Sequence, residues 1–266
     1  MKLEGHLRKM KALPGEVVGY ELRLDDSSTP LNPMIGERIR LKFDGKISCI
    51  NCGKTTKKSW NQGYCYPCTL KLAECDICIV KPEMCHYAKG TCRDPKWGEE
   101  HCLKPHVVYL ANTSGAKVGI TRGSQVPTRW LDQGAFQALP MFKVSTRLDS
   151  GKIEVMIGEH VADKTNWQRM LKGNPEPLDL KALKKDLWSK VGESLKPFIL
   201  EDIQSEVLQF NYPVTVWPEK VKSLGLDKNP VLEDKLVGIK GQYLIFSTGV
   251  INLRNHAGYQ ISWEIL

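Results

Sequence analysis

The sequence predicts an α+β protein stapled by metal. Three observations carry that expectation. All nine cysteines lie between Cys49 and Cys102, strand-like alternation marks both ends of the chain, and one amphipathic helix stands between them. The chain has 266 residues, which suits two or three small domains or one domain with a metal-held insert.

Residues 17–24 and 38–43 alternate partly between apolar and polar side chains, so both read as strands. Residues 25–36 between them are rich in Asp, Ser, Pro and Gly and read as a loop. Residues 49–102 have little apolar periodicity and many turn formers, so they bury too little to order themselves and need metal. Residues 107–120 read as two strands around a turn at 112–115. Residues 134–144 mix a short helix and a strand. Residues 152–161 place Ile153, Met156, Ile157 and Val161 at helical spacing. Over Leu180–Leu195, Leu180, Leu183, Leu187, Val191 and Leu195 share one helix face. Pro175 and Pro177 mark the boundary before it. Residues 236–266 read as strands punctuated by glycines. They form either a structural β-meander or a nucleic-acid face using Lys240, Tyr243, Arg254, His256 and Tyr259, and a small barrel with the N-terminal strands is a further arrangement. The expected segments are a β-rich N-terminal part over 1–46, a cysteine-rich module over 47–106, an αβ domain over 107–172, and a helical then β-rich region over 178–266.

No run approaches the about 18–20 apolar residues that a membrane helix needs. The start of the chain has no apolar stretch of signal-peptide length. The expectation is a cytoplasmic protein without membrane contact, in which crowded cysteines bind metal rather than form disulfides. The net charge is +8, from 38 basic and 30 acidic residues. That excess suits a nucleic-acid partner, whose phosphates attract Lys and Arg. It suits a merely basic protein as well.

Cys49 and Cys52 form one CxxC pair, and Cys65 and Cys68 form another, twelve residues apart. Two such knuckles present four thiolates in a tetrahedron, which suits zinc in a closed, structural site of zinc-ribbon type. A redox pair would call for a CxxC at a helix start in a βαβ unit, and that context is missing. Lys54, Lys57 and Lys58 lie in the same stretch, with Trp60, Tyr64 and Tyr66 interleaved and Arg38, Arg40, Lys42 and Lys46 just ahead. Cations with aromatics make a phosphate- and base-contacting surface. A solvated basic face with packing aromatics fits the same residues. A second set, Cys75, Cys78, Cys85 and Cys92, offers four more thiolates, and Cys102 is an alternative to one of the last two. Zinc and an iron–sulfur cluster both remain open there. His86, His101 and His106 stand close by, with hydrogen-bonded structural roles as the simpler reading.

Val107-Val108-Tyr109, then Lys117-Val118-Gly119-Ile120-Thr121, then Arg122, Arg129 and Glu154, resemble the GIY-YIG nuclease superfamily over about sixty residues. The resemblance implies two antiparallel strands carrying the motifs, followed by helices. It implies Tyr109, Lys117, Arg129, Glu154 and Asn166 as site residues: Tyr109 in the first motif, Gly119 as the second-motif glycine, Arg129 on the phosphate, and Glu154 on a Mg²⁺ ion. Arg122 joins the nucleic-acid contacts. Val107 replaces the first glycine and Lys117 the second tyrosine, and no histidine follows Arg129. Lysine binds phosphate but is a poor general base unless its pKa falls. The whole chain also resembles an uncharacterised bacterial domain-of-unknown-function family. That likeness rests on Pro82-Glu-Met-Cys-His86, Gly90-Thr-Cys-Arg93, Thr128-Arg-Trp-Leu-Asp-Gln-Gly-Ala135, Asp163-Lys-Thr-Asn-Trp167 and Gly238-Ile-Lys-Gly-Gln-Tyr243, as well as the second motif. In the fourth of these, Asp163 is placed to cap a helix.

Three function classes follow. One is a zinc protein that binds nucleic acid, RNA slightly ahead of DNA, through its phosphodiester backbone. The second is a Mg²⁺-dependent endonuclease using Tyr109, Arg129 and Glu154. The third is a non-catalytic scaffold for protein partners.

Overall fold

The computed structural model describes residues 1–162 and 164–266. Asp163, expected as a helix cap, lies outside them. The fold is mixed α+β with several antiparallel sheets. In chain order it runs β1 (Lys2–His6), β2 (Lys11–Leu13), β3 (Gly19–Leu24), β4 (Ser27–Pro30), β5 (Arg38–Ser48), β6 (Thr55–Thr56) and α1 (Tyr66–Lys71). After α2 (Pro95–His101) come β7 (His106–Asn112), β8 (Ala116–Arg122), α3 (Thr128–Asp132), β9 (Gln137–Val144) and α4 (Arg147–Gly158). Then follow α5 (Trp167–Met170), α6 (Leu180–Leu195), β10 (Ile199–Asp202) and β11 (Leu208–Gln209). The last strands are β12 (Val231–Lys240), β13 (Tyr243–Phe246), β14 (Gly249–Asn252) and β15 (Tyr259–Ile265). Among the described residues, no helix is long and apolar enough to cross a membrane.

The chain divides into two compact units. The first comprises residues 1–70, 171–173 and 211–266. Its main sheet has the order β1-β15-β5-β12-β13-β14, with β6 paired to β5, and β2-β3-β4 form a second sheet. The strands of the two chain ends therefore belong to one antiparallel path. β5 shows why: Ile39 and Leu41 are fully buried while Arg38 and Lys42 face solvent. On the solvent side, Arg40 bridges both neighbouring strands, reaching Glu233 of β12 at 2.5 Å and Glu264 of β15 at 2.9 Å. Such cross-strand pairs fix register. The tail is core rather than a nucleic-acid face: Lys240, His256 and Tyr259 are all buried. Lys240 lies over the rings of Tyr212 and Trp217, and burial lowers its pKa to about 7.

The second unit comprises residues 71–170 and 174–210. β7 and β8 form the expected hairpin, with Tyr109 opposite Gly119. β9 pairs along the other edge of β7, and β10 and β11 pair with β9. Val108, Leu110, Val118 and Ile120 turn one face of this sheet into a core with Ile153 and Ile157 of α4 and Leu180 and Leu187 of α6. Both helices have side-chain caps. Thr146 accepts from the Asp149 N–H, and Asp179 accepts from the Ala182 N–H. The first cap starts α4 at Arg147, five residues ahead of the start that apolar spacing indicates.

Gly258, just ahead of β15, has φ +87°, and a Cβ there would lie 2.4 Å from the Ser48 carbonyl oxygen. Its own carbonyl accepts from the Ser48 N–H at 2.8 Å. Gly45 also has a positive φ, but open space around its Cβ position. Gly258→Ala therefore combines backbone strain with a backbone clash, whereas Gly45→Ala carries strain alone. Urea unfolding is expected to show Gly258→Ala destabilised by more than about 1 kcal/mol, and by more than Gly45→Ala. Equal losses would show that the close approach to Ser48 contributes nothing.

Candidate functional site

The first cysteine knuckle sits at the tip of the β5–β6 hairpin. β6 pairs with Ile47 and Ser48, and Cys49 follows directly. The Cys49 N–H donates to the Lys54 carbonyl, and the Gly53 N–H closes the turn onto the Cys49 carbonyl. Gly53 adopts φ +70°, which a residue with a side chain resists. The second knuckle starts α1: Cys65 precedes it, and the Thr69 N–H donates to the Cys65 carbonyl. The Ile50 N–H donates to the Gly63 carbonyl and ties the two knuckles together.

This places the thiols of Cys49, Cys52, Cys65 and Cys68 within 4.8 Å of one another. Cys52 and Cys65 sulfurs are 3.8 Å apart, and Asn51 Nδ2 donates to Cys68 Sγ at 3.4 Å. Burial pushes the Cys49 thiol up, but the N–H groups of Cys52, Cys65 and Asn51 outweigh it and bring its pKa down to about 6. Against the Asn51 amide, burial and the neighbouring thiols push Cys68 the other way, up to about 12, and four thiols with this spacing fit a metal ion such as zinc. The ion would close the fold of the module; with four sulfurs around it, no coordination position is left for a substrate.

The surface beside this centre carries exposed aromatics. Trp60 is 38% exposed and Tyr66 52%, with ring centroids 5.3 Å apart and planes inclined at 55°. Lys58 Nζ lies 4.6 Å from the Trp60 ring centroid. Lys54 and Lys57 are exposed in the same hairpin. Arg40 and Lys42, nearby in sequence, are held in ion pairs, Lys42 with Asp44 at 3.2 Å.

In the second unit, Tyr109 is completely buried and its hydroxyl donates to Gln133 Oε1 at 3.1 Å. Burial pushes its pKa up to about 12, against the pull of Arg129 and with the push of Glu154. Tyr109, Gln133, Arg129 and Glu154 are thus electrostatic neighbours. Gly119 lies directly against the tyrosine: a Cβ there would be 2.7 Å from the hydroxyl oxygen. Lys117 is buried, two residues along β8 and so on the same sheet face, with Nζ 3.4 Å from Thr165 Oγ1. Asn166 is used differently: its Oδ1 accepts from the Arg169 N–H and caps α5. Arg122 ends β8, half-buried, opposite His106.

The second cysteine region also departs in detail from its spacing. Cys78, Cys85, Cys92 and Cys102 line one cavity, while Cys75 is not among its lining residues. Asp76, Cys78 and His86 place ligand atoms within 4.8 Å of one another. Asp76 is buried and pairs with Arg93 at 2.6 Å and His86 at 3.5 Å. His101 stacks on Trp97 at 4.2 Å, and buried His106 meets the Lys104 carbonyl at 2.7 Å. Sequence reasoning overlooked Asp76 and Arg147. An aspartate inside a CxxC was the available signal for the first. Nothing local marks Arg147, whose guanidinium donates to the Ile79 carbonyl at 2.6 Å.

Removing the metal from the Cys49 centre is expected to open the module. Trypsin should then cut at Lys54, Lys57 or Lys58 in chelator-treated protein far faster than in untreated protein. Unchanged digestion would show that the hairpin holds without metal.

No curated protein matches the chain, and no solved structure does. Residues 36–261 match the family described as "Protein of unknown function (DUF2797)", and a match over that much of the sequence makes this chain a member of it.

Proposed function

We propose that this protein binds nucleic acid, single-stranded RNA slightly ahead of DNA, through the face beside a zinc ion held by Cys49, Cys52, Cys65 and Cys68. One observation carries the reading: an exposed Trp60–Tyr66 pair stands beside Lys58, with Lys54 and Lys57 in the same hairpin. Bases stack on exposed rings whatever their sequence, and lysines follow the phosphates. The zinc ion contributes rigidity, since the rings stand on a hairpin with little apolar core beneath it.

A second reading has its own support. The antiparallel order β9-β7-β8, the convergence of Tyr109, Arg129 and Glu154, and the close approach at Gly119 support a GIY-YIG-like arrangement for residues 107–172. A Mg²⁺ ion there would have the Glu154 carboxylate and otherwise water around it. Tyr109 works against cleavage. Its hydroxyl is buried, donates to Gln133 and stays protonated far above neutral pH, so it cannot take a proton from water. Holding a phosphodiester with Arg129 is the better-supported role.

Fluorescence anisotropy with labelled single-stranded RNA and DNA tests the first reading. Trp60→Ala is expected to weaken binding about ten-fold, since a stacked base is worth about 1–3 kcal/mol. Lys58→Gln is expected to reduce the slope of log affinity against log salt by about 0.7. Affinity indifferent to both salt and Trp60 would leave the protein-scaffold class in its place. For the second reading, cleavage of RNA or DNA in Mg²⁺ or Mn²⁺ that disappears in Glu154→Ala would restore the nuclease class. Wild-type protein is expected to bind without cutting.

A further inference from the structure

Residues 72–105 hold five cysteines and no strand. Their order comes from 3-10 turns at Ala73–Cys75, Ile77–Ile79, Pro82–Met84 and Tyr87–Lys89, followed by α2. Ile77, Val80 and Met84 are exposed, so apolar burial explains little of this order. Four of the thiols come from four different places in the chain. Cys78 lies inside the second turn, Cys85 closes the third, Cys92 stands two residues ahead of the α2 cap Asp94, and Cys102 closes α2. All four line the same cavity.

The contrast with the first centre is chemical. There, two CxxC knuckles bring four sulfurs within 4.8 Å, the spacing around one ion. Here the four sulfurs come singly from separate points of the chain, and the atoms that converge as tightly are those of Asp76, Cys78 and His86. The polar members of that trio are already engaged. Asp76 receives Arg93, His86 and the Cys78 N–H, and His86 Nδ1 meets Thr91 Oγ1 at 2.8 Å. The sulfurs are what the cavity offers a ligand, and no three of them lie within 4.8 Å of one another.

Four cysteines from separate points of the chain, lining one cavity, supply the four thiolates that an iron–sulfur cluster takes. The charges agree. A cluster with four thiolate ligands is anionic, and two guanidinium groups stand near the cavity, that of Arg93 already paired with Asp76. Arg93 lines it, and half-buried Arg147 donates to the carbonyls of Ile79 and Cys78. We propose that Cys78, Cys85, Cys92 and Cys102, and not Cys75, bind a [4Fe–4S] cluster in this cavity.

The test uses the full chain, produced with ample iron and purified without oxygen. Wild-type protein is expected to be brown and to carry about four iron and about four acid-labile sulfide per chain, besides the zinc of the Cys49 centre. Cys85→Ala and Cys102→Ala are expected to lose iron, sulfide and colour while keeping zinc, and Cys75→Ala to keep all of them. Folded wild-type protein that takes up no sulfide on reconstitution with ferrous iron and sulfide overturns the proposal. So does a second zinc in place of iron, or a Cys75→Ala protein that loses the cluster. Zinc is read separately in each sample, so failure here leaves the nucleic-acid reading standing or falling on its own binding data.

Discussion

Four sulfurs within 4.8 Å of one another are the constraint on which the exposed face beside them depends. Thiolates that close repel, and only a cation between them makes the arrangement favourable. The backbone favours the charged form at one of them, since three N–H groups bring the Cys49 pKa down to about 6 despite its burial. Trp60 and Tyr66 lie on the chain between or beside these ligands. Both rings are exposed, so neither serves as core.

The same logic explains why the sheet grips the base of the module. β5 runs straight into Cys49, and the turn before β15 closes on Ser48 through Gly258. The Ser59 hydroxyl adds a bond to the Ala257 carbonyl at 2.9 Å. The four thiols meet at the tip, and strands from the far end of the chain order the root.

What was legible in the sequence was local. Leu180–Leu195 shows its face through five apolar residues at helical spacing, and the helix has those bounds. The hairpin at residues 106–122 shows through two apolar runs around a turn, and the first metal set through two CxxC pairs. What stayed hidden was pairing over long distances. Nothing in β1, β5 or β15 alone says that they are neighbours, because a strand's alternation defines its faces and not its partners. In the second cluster, spacing offers Cys75, Cys78, Cys85 and Cys92 with Cys102 as an alternative to one of the last two; Cys78, Cys85, Cys92 and Cys102 line one cavity, which Cys102 reaches from the end of a helix. Asn166, a site residue by resemblance, accepts from the Arg169 N–H and caps the short helix that follows it.

Net charge was the least informative feature, and the structure shows why. An excess of +8 counts every lysine and arginine alike. Lys240 is buried among aromatic rings with its pKa near 7, so it adds little field at the surface. Arg40 is spent on two glutamates and Lys42 on an aspartate. Arg147 sits half-buried on backbone carbonyls. By contrast, Lys54, Lys57 and Lys58 are exposed together, and one of them stands over a ring that a base can stack on. Affinity for a polyanion depends on cations that can exchange counterions for phosphates, and a cation already neutralised or desolvated cannot. Three lysines beside two exposed aromatics therefore say more about a nucleic-acid partner than the charge of the whole chain.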